Sequence, residues 1–213
     1  MRTIIRSFWY MFFLTVFSLT ALAQGKTAKL FNGYNFSGWE GDTVKTWRIQ
    51  DGSIIGGYLD KTVPENNFLA TTKKFANFKL KLKFKLTGTE GFINTGVQFH
   101  SVRSVHPSNE MTGYQADLGD GYWGSLYDES RRNKTLTPMD TTLINKILHR
   151  GGWNDYEVWS ENGHIRIFLN GHKTTDYTES DKTIPQSGLI ALQIHGGGKA
   201  EVYYKDIMIE ELK

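Results

Sequence analysis

The fourteen residues from Gly119 to Arg132, "GDGYWGSLYDESRR", hold three acids, two adjacent arginines and three aromatics, and Asp117 lies just upstream in "GYQADLG". Side chains of these types move protons, pair charges or bind cations. Asp117 and Asp120 are candidate bases or metal ligands, and Glu129 is a candidate acid. Arg131 or Arg132 can steady developing negative charge. The same four charges in "YDESRR" also suit salt bridges that only fix the segment, so Asp128 and Arg132 carry that structural reading equally. His195 precedes three glycines at the end of the apolar run "LIALQI", where no packing role is evident, and is a second base or ligand.

Alternation gives these groups company. In a strand, residues two apart share a face, so Gln115 and Asp117, Gln98 and His100 in "GVQFH", and Gln193 and His195 in "LQIH" are three same-face polar pairs. Amides and imidazoles hydrogen-bond hydroxyl groups without demanding charge, so three such strands side by side would form a hydroxyl-binding surface. Tyr122, Trp123 and Tyr127 are expected either to plug a loop core or to stack against a flat ligand. His106, before Pro107, reads as exposed. Zinc and calcium signatures are missing from the sequence, as is any Cys. A divalent ion remains open only through convergence of His100, Asp117, Asp120 and His195 from different strands. No other cofactor is suggested. Ser125 lacks the elbow context of a nucleophile.

The elements that must position these groups are mostly strands. "FKLKLKFKL", Phe78 to Leu86, alternates apolar residues with Lys without a break. Asp51-Gly52 separates two short strands, and Asn162-Gly163 and Asn170-Gly171 punctuate two consecutive hairpins. "GLIALQIHGGG" and "AEVYYKDIMIEEL" read as the closing strands. "TTLINKILHR" alone has a helical stripe, through Leu143, Ile144, Ile147 and Leu148. The pattern predicts an all-β antiparallel sandwich with one short helix. It also predicts one long ordered loop over about 102–152, held by its aromatics. Trp39, Trp47 and Trp153 are expected in the core.

Residues 1–23 read as a signal peptide: Arg2 and Arg6 precede the apolar run Phe8 to Ala23, which ends in Ala21-Leu22-Ala23. Cleavage leaves residues 24–213 as one domain without a stable membrane anchor, periplasmic or secreted. Of 25 Lys and Arg side chains two lie in the leader, leaving 23 against 22 Asp and Glu, so charge makes no case for a nucleic-acid partner. Zero Cys means the exported fold stands on its core, and about 190 residues suffice for that.

Five separated segments, "LFNGYNFSGWEG", "WRIQDGSIIGG", "GYQADLGDGYWGSLYDESRR", "WNDYEVWSENGHIRIFLNGHKTTDY" and "GLIALQIHGGGKAEVYYKDIMIEEL", together resemble the 3-keto-disaccharide hydrolase family. Where many members carry Gly-x-Glu-x-Gln-x-x-Asp, this chain has Gln115 for the Glu and Asp117 for the Gln, and keeps Asp120. The resemblance implies a concanavalin A-like jelly roll acting on a carbohydrate oxidised at C3. The C3 ketone acidifies the C2 hydrogen, so the bond at C1 can leave through an enolate, with water added afterwards. That chemistry needs a base near C2, a proton donor at the departing oxygen and a donor at the enolate oxygen. A two-carboxylate mechanism with Asp117 and Glu129 is a second enzymatic reading. A non-catalytic carbohydrate-binding module and a surface-assembly domain are the rivals, because the fold alone does not choose.

Overall fold

The run Phe78 to Leu86 forms the structural axis: Phe78, Leu80, Leu82, Phe84 and Leu86 are all buried, and the alternate lysines face outward. Lys81 and Lys83 there meet Glu157 and Asp155 at 3.2 and 2.5 Å. The computed structural model describes residues 26–213; the leader proposed for 1–23 lies outside the described residues. In chain order the elements are β1 (Thr27–Lys29), β2 (Trp39–Glu40), β3 (Trp47–Gln50), β4 (Ser53–Tyr58), β5 (Asn67–Phe75), β6 (Phe78–Gly91), β7 (Asn94–Arg103) and β8 (Met111–Gly119). They continue with β9 (Leu126–Glu129), β10 (Lys134–Thr137), α1 (Thr141–Ile147), β11 (Asn154–Glu161), β12 (His164–Leu169), β13 (His172–Thr178), β14 (Gly188–Ile194) and β15 (Gly198–Glu211).

Two antiparallel sheets enclose the core. One runs β13-β12-β11-β6-β15-β4-β3, with β1 paired to β15; the other runs β10-β9-β8-β7-β14-β5-β2. Late strands β14 and β15 insert beside β7 and β6, so the fold is the expected jelly-roll sandwich. Asn162-Gly163 and Asn170-Gly171 both have positive φ at both residues, the geometry that returns a strand on itself in two residues. The helix starts at Asp140, whose carboxylate accepts the Leu143 N–H at 3.0 Å, and buries Ile144 and Ile147. Among the described residues no helix is long and apolar enough to cross a membrane.

Two sequence expectations need correction. The interval 102–152 is not one long loop: β8, β9, β10 and α1 take up about half of it, and β8 lies inside the second sheet. Its sequence "MTGYQADLG" is poor in strand-favouring types, but pairing to β7 and β9 supplies what local preference lacks. Trp153 is not core. It is half-buried on the outer face of the first sheet, where Lys205 lies 4.0 Å above its ring and Tyr203 packs edge-on at 6.4 Å. Trp39 and Trp47 are buried as expected.

Candidate active site

On β8 the apolar residues Tyr114, Ala116 and Leu118 point into the core, which sends Gln115 and Asp117 to the outer face of the second sheet. Adjacent strands register the other groups beside them. Asp117 pairs with Gly96 of β7, Gly96 pairs with Gln193 of β14, and Gln115 pairs with Tyr127 of β9. Gly96 carries no side chain, and the space lets Gln115 Nε2 cross it to reach Gln193 Oε1 at 3.0 Å; a Cβ there would sit 2.8 Å from Gln115 Cγ. From the opposite sheet, Tyr204 donates its hydroxyl to Gly96 O at 3.1 Å and Tyr156 to Asp117 O at 3.3 Å. The floor strands are thus pinned across the core by phenols whose burial keeps them protonated.

A cleft of about 140 Å³ opens on this floor, lined by Phe92, Asn94, Gln115, Asp117, Tyr122, Tyr127, Glu129 and His195. It is small beside ligand pockets of roughly 300–1,000 Å³, and so suits one ring more than a chain. Asp117 Oδ1 accepts from Asn94 Nδ2 at 3.0 Å, from the Leu118 N–H at 2.9 Å and from Gln115 Nε2 at 3.4 Å. Three donors on one oxygen leave Oδ2 as the atom that takes a proton or meets a ligand. His195 Nδ1 lies 2.7 Å from Gly196 O, and a carbonyl only accepts, so the neutral ring carries its proton on Nδ1 and its lone pair on Nε2. Phe92 meets that ring edge-on at 4.7 Å and Tyr122 at 6.2 Å. These aromatics form the cleft's apolar rim.

Six of the twelve proposed site residues therefore meet here: Asp117, Glu129 and His195, with Gln115, Tyr122 and Tyr127. Gln193 is buried beneath Gln115 and supports it. Gln98 is buried too, with Nε2 toward Met111 O at 3.4 Å, outside the cleft. His100 does not share its face. A register break between Phe99 and Val102, with φ +48° at His100, turns the ring toward Phe78, Phe99 and Tyr114, where Nε2 meets Ala76 O at 2.8 Å. Burial there holds its pKa down at about 4.

Asp120 is exposed and occupied by Arg150 at 2.7 Å and by Trp123 Nε1 at 3.1 Å, while the Trp123 ring stacks on Phe84 in the core at 6.2 Å. Neither Asp120 nor Trp123 lines the cleft. The metal quartet His100, Asp117, Asp120 and His195 does not converge, and among the described residues no group of three His, Cys, Asp or Glu side chains is arranged to hold an ion. Asn94 and Phe92 were missed. Asn94 was available from alternation, being on the same face of β7 as Gly96 and Gln98; Phe92, in the connection that crosses from β6 in one sheet to β7 in the other, had no such signal.

Arg131 turns inward to Asp128 at 2.7 Å and lies 4.6 Å above the Tyr114 ring. Arg132 joins the same buried carboxylate and reaches Glu179 at 2.7 Å. For these residues the ion-pair reading is the correct one. Asp128 is fully buried and Glu179 is 3 % exposed, so removing the guanidinium strands charge in the protein. Arg132→Ala is expected to cost about 3–5 kcal/mol in urea unfolding while the folded fraction keeps the cleft's ligand affinity. Loss of affinity in fully folded protein would return Arg132 to the site.

Burial pushes Asp117 from 3.8 up to about 7, against the three hydrogen bonds that lower it. Burial also raises Glu129 from 4.5 to about 7, aided by the charges of Glu110, Asp117 and Asp128. Because the fold raises both, it binds more protons than the unfolded chain between about pH 4 and 7, and stability falls as pH rises through that window. Asp117→Asn is accordingly expected to unfold like the parent at pH 4 and to be more stable by about 1–4 kcal/mol at pH 8. Equal stability changes at both values in urea titrations would contradict the raised carboxyl.

The sequence from 26 to 210 matches the family described as the 3-keto-alpha-glucoside-1,2-lyase-like domain. The chain belongs to that family. No curated protein matches it. Among solved structures, this 3-keto-alpha-glucoside-1,2-lyase-like domain is similar to a candidate glycosyl hydrolase from Parabacteroides distasonis: 24 % identity, TM-score 0.64, 88 % of this chain and 94 % of that one. It is also similar to the carbohydrate binding module CBM66 from Bacillus subtilis, at 13 % identity and TM-score 0.64 over 86 % and 100 % of the two chains. A Bacillus licheniformis beta-glucanase shares the fold at 10 % identity and TM-score 0.53, over 89 % and 99 %. These likenesses show that the lyase-like domain has the jelly-roll fold.

Proposed function

We propose that this domain, exported by a signal peptide over residues 1–23, cleaves the glycosidic bond of a 3-keto-glycoside by enolate elimination and hydration. One observation carries the reading: two carboxyls raised to about 7, Asp117 and Glu129, and an imidazole with its Nε2 lone pair uncommitted line the same cleft. His195 Nε2 takes the C2 proton, and the electron pair becomes the C2–C3 enolate. Hydroxyl protons of Tyr122, Tyr127 and protonated Asp117 Oδ2 are the cleft's donors for the enolate oxygen, a task the arginines do not perform. The enolate then expels the C1 oxygen, to which Glu129 gives its proton, leaving a C1–C2 double bond. Water adds at C1 as a proton returns to C2.

The test offers a 3-keto-glucoside, 3-keto-trehalose and their unoxidised parents to the protein. Cleavage of the keto sugars alone is expected, with a slower rate when C2 carries deuterium. Cleavage without an isotope effect would favour direct hydrolysis by the Asp117 and Glu129 pair. Binding of oxidised and parent sugars without cleavage of either would replace the enzyme reading by a binding module.

A further inference from the structure

The peptide unit between Gly196 and Gly197, just after the proposed base, is held at both ends. Its carbonyl, Gly196 O, takes the Nδ1 proton of His195 at 2.7 Å. The N–H on the other side of the same peptide, that of Gly197, donates to Val63 O at 2.8 Å. One residue back, the Gly196 N–H donates to Asn66 Oδ1 at 3.1 Å, and Val63 N–H reaches Gly198 O at 2.9 Å. Three consecutive glycines are thus laced to the connection between β4 and β5. Only glycine fits at the first of them, because a Cβ on Gly196 would lie 2.7 Å from Glu65 Cα.

In a trans peptide the C=O and N–H point in opposite directions, so turning the unit over exchanges them. The turned unit would offer the Gly197 N–H to His195 Nδ1, which would then have to accept, and the ring proton would move to Nε2. A ring protonated at Nε2 has no lone pair for the C2 hydrogen. Glycine pairs turn over at little steric cost. Gly197 stands at φ +92°, and turning would carry it to about −90°, a value any residue adopts. Val63 opposes this, because its carbonyl would then face the Gly196 oxygen. Asn66 adds a second hold, itself braced by Glu110 Oε1 on its Nδ2 at 2.8 Å and by Asn109 Nδ2 on its carbonyl at 3.2 Å.

Resting on the reading of His195 as the base, we propose that Val63, through its carbonyl, and Asn66, through its amide, are positioning residues: they lock the Gly196–Gly197 peptide so that Nε2 meets the cleft unprotonated. Both act only through that peptide. The lock also serves the charged ring, for once Nε2 has taken a proton the same carbonyl holds Nδ1–H in a charge-assisted bond. Donation of the Gly197 N–H to Val63 polarises that carbonyl and strengthens its hold.

The experiment needs no substrate and leaves the ring intact. Nitrogen-15 histidine-labelled protein is observed by NMR in alkaline solution, where an ordinary imidazole is neutral, and the His195 ring signals are those lost in His195→Ala. In the parent they are expected to show the proton on Nδ1; a parent ring protonated on Nε2 overturns the proposal. Gly197→Ala is the principal variant. A Cβ there meets nothing within 4 Å, so packing is kept, while the positive φ is disfavoured and biases the peptide toward turning over. The ratio of Nε2–H to Nδ1–H is expected to rise about tenfold. An unchanged ratio overturns the lock. Should Gly197→Ala not fold, Asn66→Ala removes the other hold and must raise the same ratio, with no rise again overturning it. Because the tautomer is read without sugar, failure of the proposed reaction and failure of this role are separate results.

Discussion

His195→Ala is expected to lower kcat on a 3-keto-glucoside by about 100- to 10,000-fold while KM changes far less. The imidazole is placed by its backbone as well as its ring. Its N–H donates to Asn94 O at 3.1 Å, fixing the end of β14 to β7, and Nδ1 is occupied by Gly196 O at 2.7 Å. A ring oriented this way by its own neighbouring carbonyl offers Nε2 without rotation, so its removal takes away a group used in the transition state and little of the bound ground state. The residual rate of the variant should keep or increase its sensitivity to deuterium at C2, because proton abstraction, left to solvent, becomes still more rate-limiting. A variant as fast as the parent would move the base elsewhere and leave His195 as a wall of the cleft.

Why half of the site residues were legible and half were not follows from what alternation encodes. It fixes which residues share a face only while the strand stays regular. For Gln115 and Asp117 on β8, and for Gln193 and His195 at the end of β14, the pleat holds and the polar pairs emerge together. On β7 the register breaks after Phe99, so His100 rotates out of the row that Gln98 begins. A bulge of this kind depends on a partner strand that the sequence does not name.

Charged residues failed for a different reason. "YDESRR" contains donors and acceptors enough for either catalysis or internal pairing, and burial of Asp128 decides for pairing, a property of the assembled core rather than of the segment. The aromatics divided by the same rule. Consecutive Tyr122 and Trp123, in the turn between β8 and β9, point to different sides, one to the cleft and one onto Phe84. The sandwich itself was more legible because the unbroken alternation of β6 and the Asn-Gly turns are local signals with few competing interpretations.

Glu129→Gln should have an effect that depends on what leaves. With an alkyl or sugar alcohol departing, loss of the proton donor is expected to cost about 100- to 10,000-fold in kcat. With a nitrophenol departing, whose anion needs no proton, the cost should shrink to about tenfold or less, since general-acid assistance matters in proportion to the basicity of the leaving oxygen. The pH profile supplies the sign. Glu129 must enter protonated, and burial with its acidic neighbours holds it protonated up to about 7, so the parent's rate on a sugar-alcohol substrate should fall as pH rises through that value. Glu129→Gln should lose most of the rate below that value and keep only the part of the fall that deprotonation of the enolate donor Asp117 brings, whereas Asp117→Asn, which leaves the leaving-group donor in place, should keep the part that belongs to Glu129. Equal losses for both leaving groups would mean that Glu129 shapes the cleft without giving up a proton, and the donor would then have to be sought at Asp117 Oδ2, the other carboxyl oxygen the cleft leaves free.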